Sequence, residues 1–205
     1  PEMMENLYDT KFLKFTGGEP FMIPHVRKII KKLYEDEVSP AVRLSIITNG
    51  TIPIDDEMLK MLLTFKHVIL LVSIDGIEDR FEYIRAGAKW KEVSANLKNF
   101  QQIAMYNKNF DLNINYLPMS INAAQDQLAE QWARSEGISF SKSVEIYRPN
   151  YLTYRSLKPN LRERYKIITN YDYNEKVYDE LLKHMAIKDK LTGSDFKRAC
   201  PEFFE

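Results

Sequence analysis

The feature that most constrains the fold is an alternation of two hydrophobic periods along the first 150 residues. Short segments with the two-residue period of β-strands alternate with longer segments that have the 3.6-residue period of amphipathic helices. The pattern predicts five strands, at residues 11–16, 42–48, 67–75, 110–117 and 138–147. Each connection is long enough for a crossover, so we expect parallel strands wound right-handed.

Four helices are predicted between these strands. The first follows Pro24, which a first helical turn tolerates, and its apolar face carries Val26, Ile29, Ile30 and Leu33. The others begin after Asp55, at Trp90 and after Asn122, and the last of them carries Leu128 and Trp132. Two α/β architectures fit this pattern, an open doubly wound sheet and a whole or partial TIM-type barrel, and periodicity does not separate them.

The composition gives no sign of a nucleic-acid-binding or membrane-spanning protein. The 205 residues include 29 basic and 29 acidic side chains, so there is no electrostatic reason to expect nucleic acid or an anionic membrane as partner. The longest apolar run, Val68–Val72, has the length of a strand and is far short of the ~20 residues that cross a bilayer. With no signal peptide at the start and one cysteine, Cys200, a cytoplasmic protein is expected.

The pattern changes after Pro149. We expect residues 1–150 to form the α/β domain and residues 151–205 to form a mostly helical connector toward a missing C-terminal domain. The chain begins on Pro1 without a preceding methionine and stops shortly after Cys200. We therefore expect both ends to be cuts in a longer chain.

Polar, glycine-containing segments follow three successive predicted strands, where parallel α/β folds place their ligands. They are Thr16-Gly-Gly-Glu-Pro20, Thr48-Asn-Gly-Thr51 and Ser73-Ile-Asp-Gly76. In the first, two glycines allow a tight turn and close approach to a ligand, and Glu19 can pair with an ammonium group. An ordinary strand-to-helix turn, with Glu19 near a helix N-terminus and Pro20 starting the helix, explains the same residues.

Two further pairs of side chains are candidates for ligand contacts. Ser73 and Asp75 place a hydroxyl and a carboxylate two residues apart, which suits a ribose diol, although for this pair alone a polar turn at Asp75 is the favoured explanation. Asn113 and Asn115 share one strand face, opposite an apolar face. They point either into a ligand-filled barrel or to solvent from an edge strand.

Taken together, these motifs resemble the radical S-adenosylmethionine (SAM) superfamily over about Lys11–Arg148. The first segment resembles the loop that receives the methionyl amino group of SAM, the second lines the same site, and the third approaches the ribose. Arg85-Ala-Gly87 and Asn122 resemble further motifs that come later in that family's order. The resemblance implies these cofactor-binding residues: Gly17, Gly18, Glu19, Pro20, Thr48, Asn49, Ser73, Asp75, Asn113 and Asn115.

The resemblance also implies a fold, and this chain lacks one part of that fold. The family core is a partial TIM-like (βα) barrel of six units with parallel strands, and the five strands here leave its first unit missing. That unit carries the C-x3-C-x2-C loop for a [4Fe–4S] cluster, and nothing before Thr16 is a cysteine. Because three thiolates must hold the cluster, we expect this chain alone to be inactive and to contain no catalytic residue.

For the intact parent, the resemblance implies that the cluster cleaves SAM to a 5′-deoxyadenosyl radical, which abstracts hydrogen from a peptide or small-molecule substrate. Cys200 resembles the cysteine that begins the auxiliary-cluster domain of SPASM and twitch members, which include maturases; a lone structural cysteine is the alternative. The competing hypotheses are a differently catalytic barrel enzyme and a non-catalytic barrel that binds a nucleoside or a protein. The missing strand leaves a barrel edge, so a dimer through that edge is expected.

Overall fold

The computed structural model describes residues 7–146 and 148–205. Its sheet has five strands, in the order β1-β2-β3-β4-β5. β1 pairs in parallel with β2, and β2 in parallel with β3. The strands are β1 Phe12–Phe15, β2 Arg43–Thr48, β3 His67–Ile74, β4 Phe110–Tyr116 and β5 Ser139–Lys142. The predicted α/β class and all five strands are confirmed, although β5 is shorter than expected, and Tyr147 of the predicted segment lies outside the described residues.

The described residues contain eight α-helices: α1 Pro24–Glu35, α2 Asp56–Leu62, α3 Glu78–Ile84, α4 Trp90–Tyr106, α5 Asp126–Ser135, α6 Pro159–Arg164, α7 Glu175–Thr192 and α8 Phe196–Ala199. Four of them, α1, α2, α4 and α5, are the helices predicted between strands. Asp55 caps α2 as expected, accepting from the Met58 backbone N–H at 2.7 Å. None of the helices in the described part of the chain has both the length and the hydropathy needed to cross a bilayer.

The start of α5 corrects one expectation. Asn122 does not cap an α-helix, because a 3-10 turn at Ser120–Gln125 intervenes and α5 begins at Asp126. Leu128 is 51% exposed, and Trp132 is half-buried.

Strands β3 and β4 each have one fully apolar face. Val68, Leu70 and Val72 of β3 are completely buried, whereas the residues between them are half-buried. In β4, Leu112, Ile114 and Tyr116 are buried, and the asparagines that alternate with them, Asn113 and Asn115, are half-buried. The two-residue period therefore separates a buried face from a more accessible one in both strands, and only in β4 is the accessible face polar.

The chain divides into two compact units, each built from separate stretches of sequence. Among the described residues, the first comprises 7–73, 91–115 and 133–141, and contains β1, β2, α1 and α2. The second comprises residues 74–90, 116–132 and 142–205. Its apolar core joins residues of α3 and of the 119–123 turn to residues of the last third of the chain, among them Tyr83, Met119, Ile121, Tyr154, Leu161, Leu181, Phe196 and Phe203. The expected domain boundary near residue 150 stays a prediction.

Candidate cofactor site

The loop after β1 exposes its backbone. Gly17 and Gly18 have φ values of +86° and +60°, a left-handed conformation that residues with a Cβ adopt only with strain. A Cβ built on Gly17 would find no atom within 4 Å. The glycines are thus required by backbone conformation, and open space lies beside the first of them for an approaching ligand.

Glu19 ties this loop to the end of β2. Glu19 is 8% exposed, and its carboxylate accepts hydrogen bonds from the Thr48 hydroxyl at 2.8 Å and from the Asn49 backbone N–H at 2.8 Å. The backbone N–H of Phe21 donates to the same carboxylate at 3.2 Å, which makes Glu19 the cap of a 3-10 turn that begins at the buried Pro20. The structure therefore brings together Glu19, Thr48 and Asn49, as the sequence predicted, and gives Pro20 its expected place at the start of a turn.

The end of β2 is itself tightly built. Thr48 is 1% exposed, and its hydroxyl oxygen also accepts from the Gly50 backbone N–H at 3.0 Å. Gly50 has φ +76°, and a Cβ there would lie 2.8 Å from a methyl group of Val72. The Asn96 side chain of α4 donates to the Gly50 carbonyl at 2.9 Å. Sequence reasoning missed the role of Asn96, because a single asparagine within a helix carries no local signal.

Ser73, Asn113 and Asn115 lie on the accessible faces of β3 and β4. All three are half-buried, and each alternates along its strand with buried apolar residues. The Asn113 side-chain oxygen accepts from the Ser141 hydroxyl at 3.1 Å. The expected separation of the asparagines from the apolar face of β4 is what the structure shows.

In the second unit, Asp75 follows β3 and is 7% exposed. Arg85 donates to Asp75 Oδ2 through Nε at 2.8 Å and Nη2 at 2.7 Å. The Asn122 side chain donates to the Asp75 carbonyl at 3.1 Å. Burial raises the pKa of the Asp75 carboxyl, and the Arg85 guanidinium partly offsets that rise. The sequence offered Asp75, Arg85 and Asn122 as separate motifs, and the structure joins them.

Cys200 lies in the apolar core of the second unit. It is 0% exposed, and its thiol donates to the Ile121 carbonyl at a Sγ–O distance of 3.7 Å. Burial raises the thiol pKa well above its ordinary value. In this arrangement it is a packed thiol, and its predicted role as an auxiliary cluster ligand stays a prediction.

The residues of this chain do not fit a [4Fe–4S] cluster. The sequence has one cysteine, whereas three thiolates are needed to leave one iron open. Across residues 7–146 and 148–205, no three His, Cys, Asp or Glu side chains are grouped so that they could hold a metal ion. They do fit the amino-acid end of SAM, because an exposed glycine backbone stands beside a buried carboxylate.

The chain was compared with known proteins in sequence and in structure. No curated protein matches the chain in sequence. Among solved structures, native anSMEcpe with bound AdoMet is 17% identical, with a TM-score of 0.51 over 94% of this chain and 50% of that one. The same enzyme with AdoMet and the Kp18Cys peptide is 18% identical, with a TM-score of 0.51 over 93% and 51%.

Streptococcus suis SuiB bound to the precursor peptide SuiA is 13% identical, with a TM-score of 0.50 over 93% of this chain and 40% of that one. At these identities the likeness shows the fold alone, and the chain spans about half or less of the length of the proteins it matches. A sequence profile of the Radical SAM superfamily matches residues 2–119, more than half of the chain. The chain therefore belongs to the Radical SAM superfamily.

Proposed function

We propose that this chain supplies the SAM-binding part of a radical SAM enzyme. The observation that carries the proposal is the loop after β1, where two exposed left-handed glycines lie next to a buried carboxylate. The backbone of Gly17 and Gly18 would approach the methionyl group of SAM. Glu19 would accept from its ammonium group, in addition to the donors that fix the carboxylate in place.

Thr48 and Asn49 act on this site through Glu19. Because they donate to both carboxylate oxygens, they orient the side chain before a ligand arrives. Ser73 stays a predicted contact of the ribose, and Asn113 and Asn115 stay predicted contacts of cofactor or substrate. In the second unit, Asp75 stays a predicted ribose contact, and a ribose hydroxyl would share that carboxylate with Arg85.

The radical step belongs to the cluster, for which this chain has too few cysteines, so we assign it to the intact parent. A peptide substrate is part of the proposal, since two structures with the same fold contain peptides. The proposal also includes the maturase-like class of enzyme and the cytoplasmic location, both expected from the sequence. The single cysteine also suits a second candidate, a barrel that binds SAM or another nucleoside without catalysis.

Anaerobic calorimetry with SAM tests the proposal on the cluster-reconstituted parent. We expect Glu19→Ala to weaken SAM binding by about tenfold, because a charge-assisted hydrogen bond contributes ~1.5–3 kcal/mol. Asp56→Asn, an exposed change in the first turn of α2, serves as the control and should leave the affinity unchanged. Equal affinities for the wild type and Glu19→Ala would remove the assignment, and SAM binding without turnover would favour the non-catalytic candidate.

A further inference from the structure

The second unit contains several separate cavities, two of which have volumes of about 390 Å³ and about 350 Å³. The smaller of these two is lined by Asp126, which has a buried polar atom without a hydrogen-bond partner among the described residues. This cavity, here called the Asp126 cavity, is lined by Pro118, Asp126, Lys142, Glu145, Tyr154 and Ile167, among others. Asp126 begins α5, the helix after β4, and Lys142 ends β5. Lys142 therefore lies at the carboxyl end of a strand, where α/β folds place ligands, and Asp126 is joined to it by an ion pair.

The two oxygens of the Asp126 carboxylate differ in their surroundings. Oδ2 accepts from Lys142 Nζ at 2.8 Å. Oδ1 is buried and has no hydrogen-bond partner within the described part of the chain, and Asp126 as a whole is 6% exposed. The neighbouring Tyr116 hydroxyl donates its proton to the Asn122 carbonyl at 3.0 Å.

A buried acceptor that lacks a donor is unfavourable, because it has lost water without gaining a replacement. Burial raises the pKa of the Asp126 carboxyl, and Lys142 and the nearby Tyr116 hydroxyl oppose the rise. A ligand that donated a hydrogen bond to Oδ1 would supply what the protein does not and would lower that pKa.

The charges around the cavity favour a neutral donor. The negative charge of Asp126 is already matched by Lys142, and that of Glu145 is offset by the charge of Arg162 and by a hydrogen bond from the Tyr154 backbone N–H. Lys166 adds a further positive charge to the lining. An ammonium group would find no carboxylate in this cavity whose charge is still uncompensated. An amide N–H is neutral and needs only the lone pair on Oδ1 that accepts no hydrogen bond.

Apolar surface accompanies the polar group. Pro118, Ile167 and Ile168 line the cavity, and Ile168 is 96% exposed. Val144, between the lining residues Lys142 and Glu145 in sequence, is 89% exposed. A donor beside exposed aliphatic side chains matches a peptide segment, in which a backbone amide neighbours an apolar side chain.

We propose that the Asp126 cavity binds a peptide segment, with one backbone amide N–H donating to Asp126 Oδ1 and a neighbouring aliphatic side chain against Ile167 and Ile168. The inference rests on the proposed function for its substrate class, since it makes the peptide the molecule on which the parent acts. It rests on the geometry of the second unit for its location.

The test uses the complete 205-residue chain, labelled with ¹⁵N, and a small peptide probe. N-acetyl-leucine N′-methylamide carries two amide N–H donors and an aliphatic side chain, and its fully N-methylated analogue has the same apolar part without donors. We expect the first probe to shift amide signals of residues that line the cavity and the analogue to leave them in place. Asp126→Asn should weaken binding by about tenfold, because it replaces a charged acceptor by an amide. The exposed Asp179→Asn on α7 should not.

Equal binding of the two probes, equal binding to the wild type and Asp126→Asn, or no shift at the cavity up to the solubility limit would overturn the proposal. So would a response to isoamyl alcohol equal to that of the amide, since it would indicate a hydroxyl ligand. If Asp126→Asn does not fold, as judged by its own amide spectrum, the two probes on the wild type decide. No SAM is present in this titration, so a failed SAM assignment leaves the result intact, and a failed probe leaves the SAM assignment intact.

Discussion

At the scale of single residues, the candidate site depends on backbone conformations and on one shared carboxylate. Gly17 and Gly50 both have positive φ values, but they differ in surroundings. Beside Gly17 there is open space, whereas a Cβ on Gly50 would collide with Val72. The two glycines therefore separate the cost of backbone strain from the cost of a steric clash.

We expect Gly50→Ala to destabilise the fold more than Gly17→Ala. The left-handed backbone alone costs about 1–2 kcal/mol at Gly17, and the 2.8 Å approach to Val72 adds about 1–3 kcal/mol of overpacking at Gly50. Urea unfolding followed by circular dichroism measures both free energies of unfolding. Equal losses in the two variants would contradict the prediction and would mean that Val72 moves aside without cost.

At the scale of secondary-structure elements, the last turn of the chain is held to α3 by a buried ion pair. Arg80 Nη2 donates to Glu202 at 2.9 Å, with side chains 4% and 7% exposed, and Arg80 Nε donates to the Ala199 carbonyl at 2.7 Å. A third donor of Arg80 contacts the Ile121 carbonyl. The guanidinium therefore links three segments of the second unit.

Glu202→Gln is expected to destabilise the protein by about 3–5 kcal/mol, because it leaves the Arg80 charge buried without its counter-ion. Arg198→Gln provides the matched control. It removes an ion pair with Asp79 whose side chains are 75% and 66% exposed, and exposed pairs contribute at most about 1 kcal/mol. Thermal and chemical unfolding of both variants measure the difference, and a loss at Glu202 no larger than that at Arg198 would refute the account.

The elements that the sequence predicted most clearly are those in which a periodic apolar pattern extends over many residues. α1 and α4 have apolar residues at helical spacing over 12 and 17 residues, and the alternation of β4 is complete, so local pattern was sufficient. The missed helices α3 and α6 have seven and six residues, and neither has a side chain that caps its start. α2 is equally short, but Asp55 marks its start as a cap. The start of α5 was misplaced because Asn122 is a good cap in sequence, whereas its side chain bonds Met119, Leu117 and Asp75 instead.

For the candidate site, the sequence predicted which residues take part but not how they contact one another. Order along the chain identified Glu19, Thr48 and Asn49, because ligand loops follow strands. Their mutual hydrogen bonds depend on a pairing between segments 29 residues apart, which no local rule supplies. Lys142 was not found in this way, because the predicted fifth strand ran to residue 147, whereas the strand ends at Lys142.

At the scale of the whole molecule, β1 is the first strand of the sheet and pairs with β2 alone among the described strands. It is the least covered of the early strands, with Phe12 55% exposed. An edge strand with an exposed aromatic side chain offers unpaired backbone groups to another chain. Self-association through this edge, as the sequence suggested, stays a prediction.

We expect the mass measured by light scattering to rise above that of a monomer as the concentration of the chain increases. Phe12→Lys should reduce the rise, since a charge on an edge strand opposes pairing between identical edges. Met105→Lys, an equally charged change at an exposed position of α4, should not. A monomer mass at all concentrations for the wild type would count against the edge as a dimer surface.

The carboxylate of Glu19 has a consequence for how the loop after β1 selects a ligand. Three donors from two segments hold it, so the shape of the loop is decided before any ligand arrives. A preorganised loop loses little conformational freedom on binding, which favours affinity. As the proposed SAM-binding loop it would also have little freedom to adjust, so molecules that do not match its shape would bind weakly.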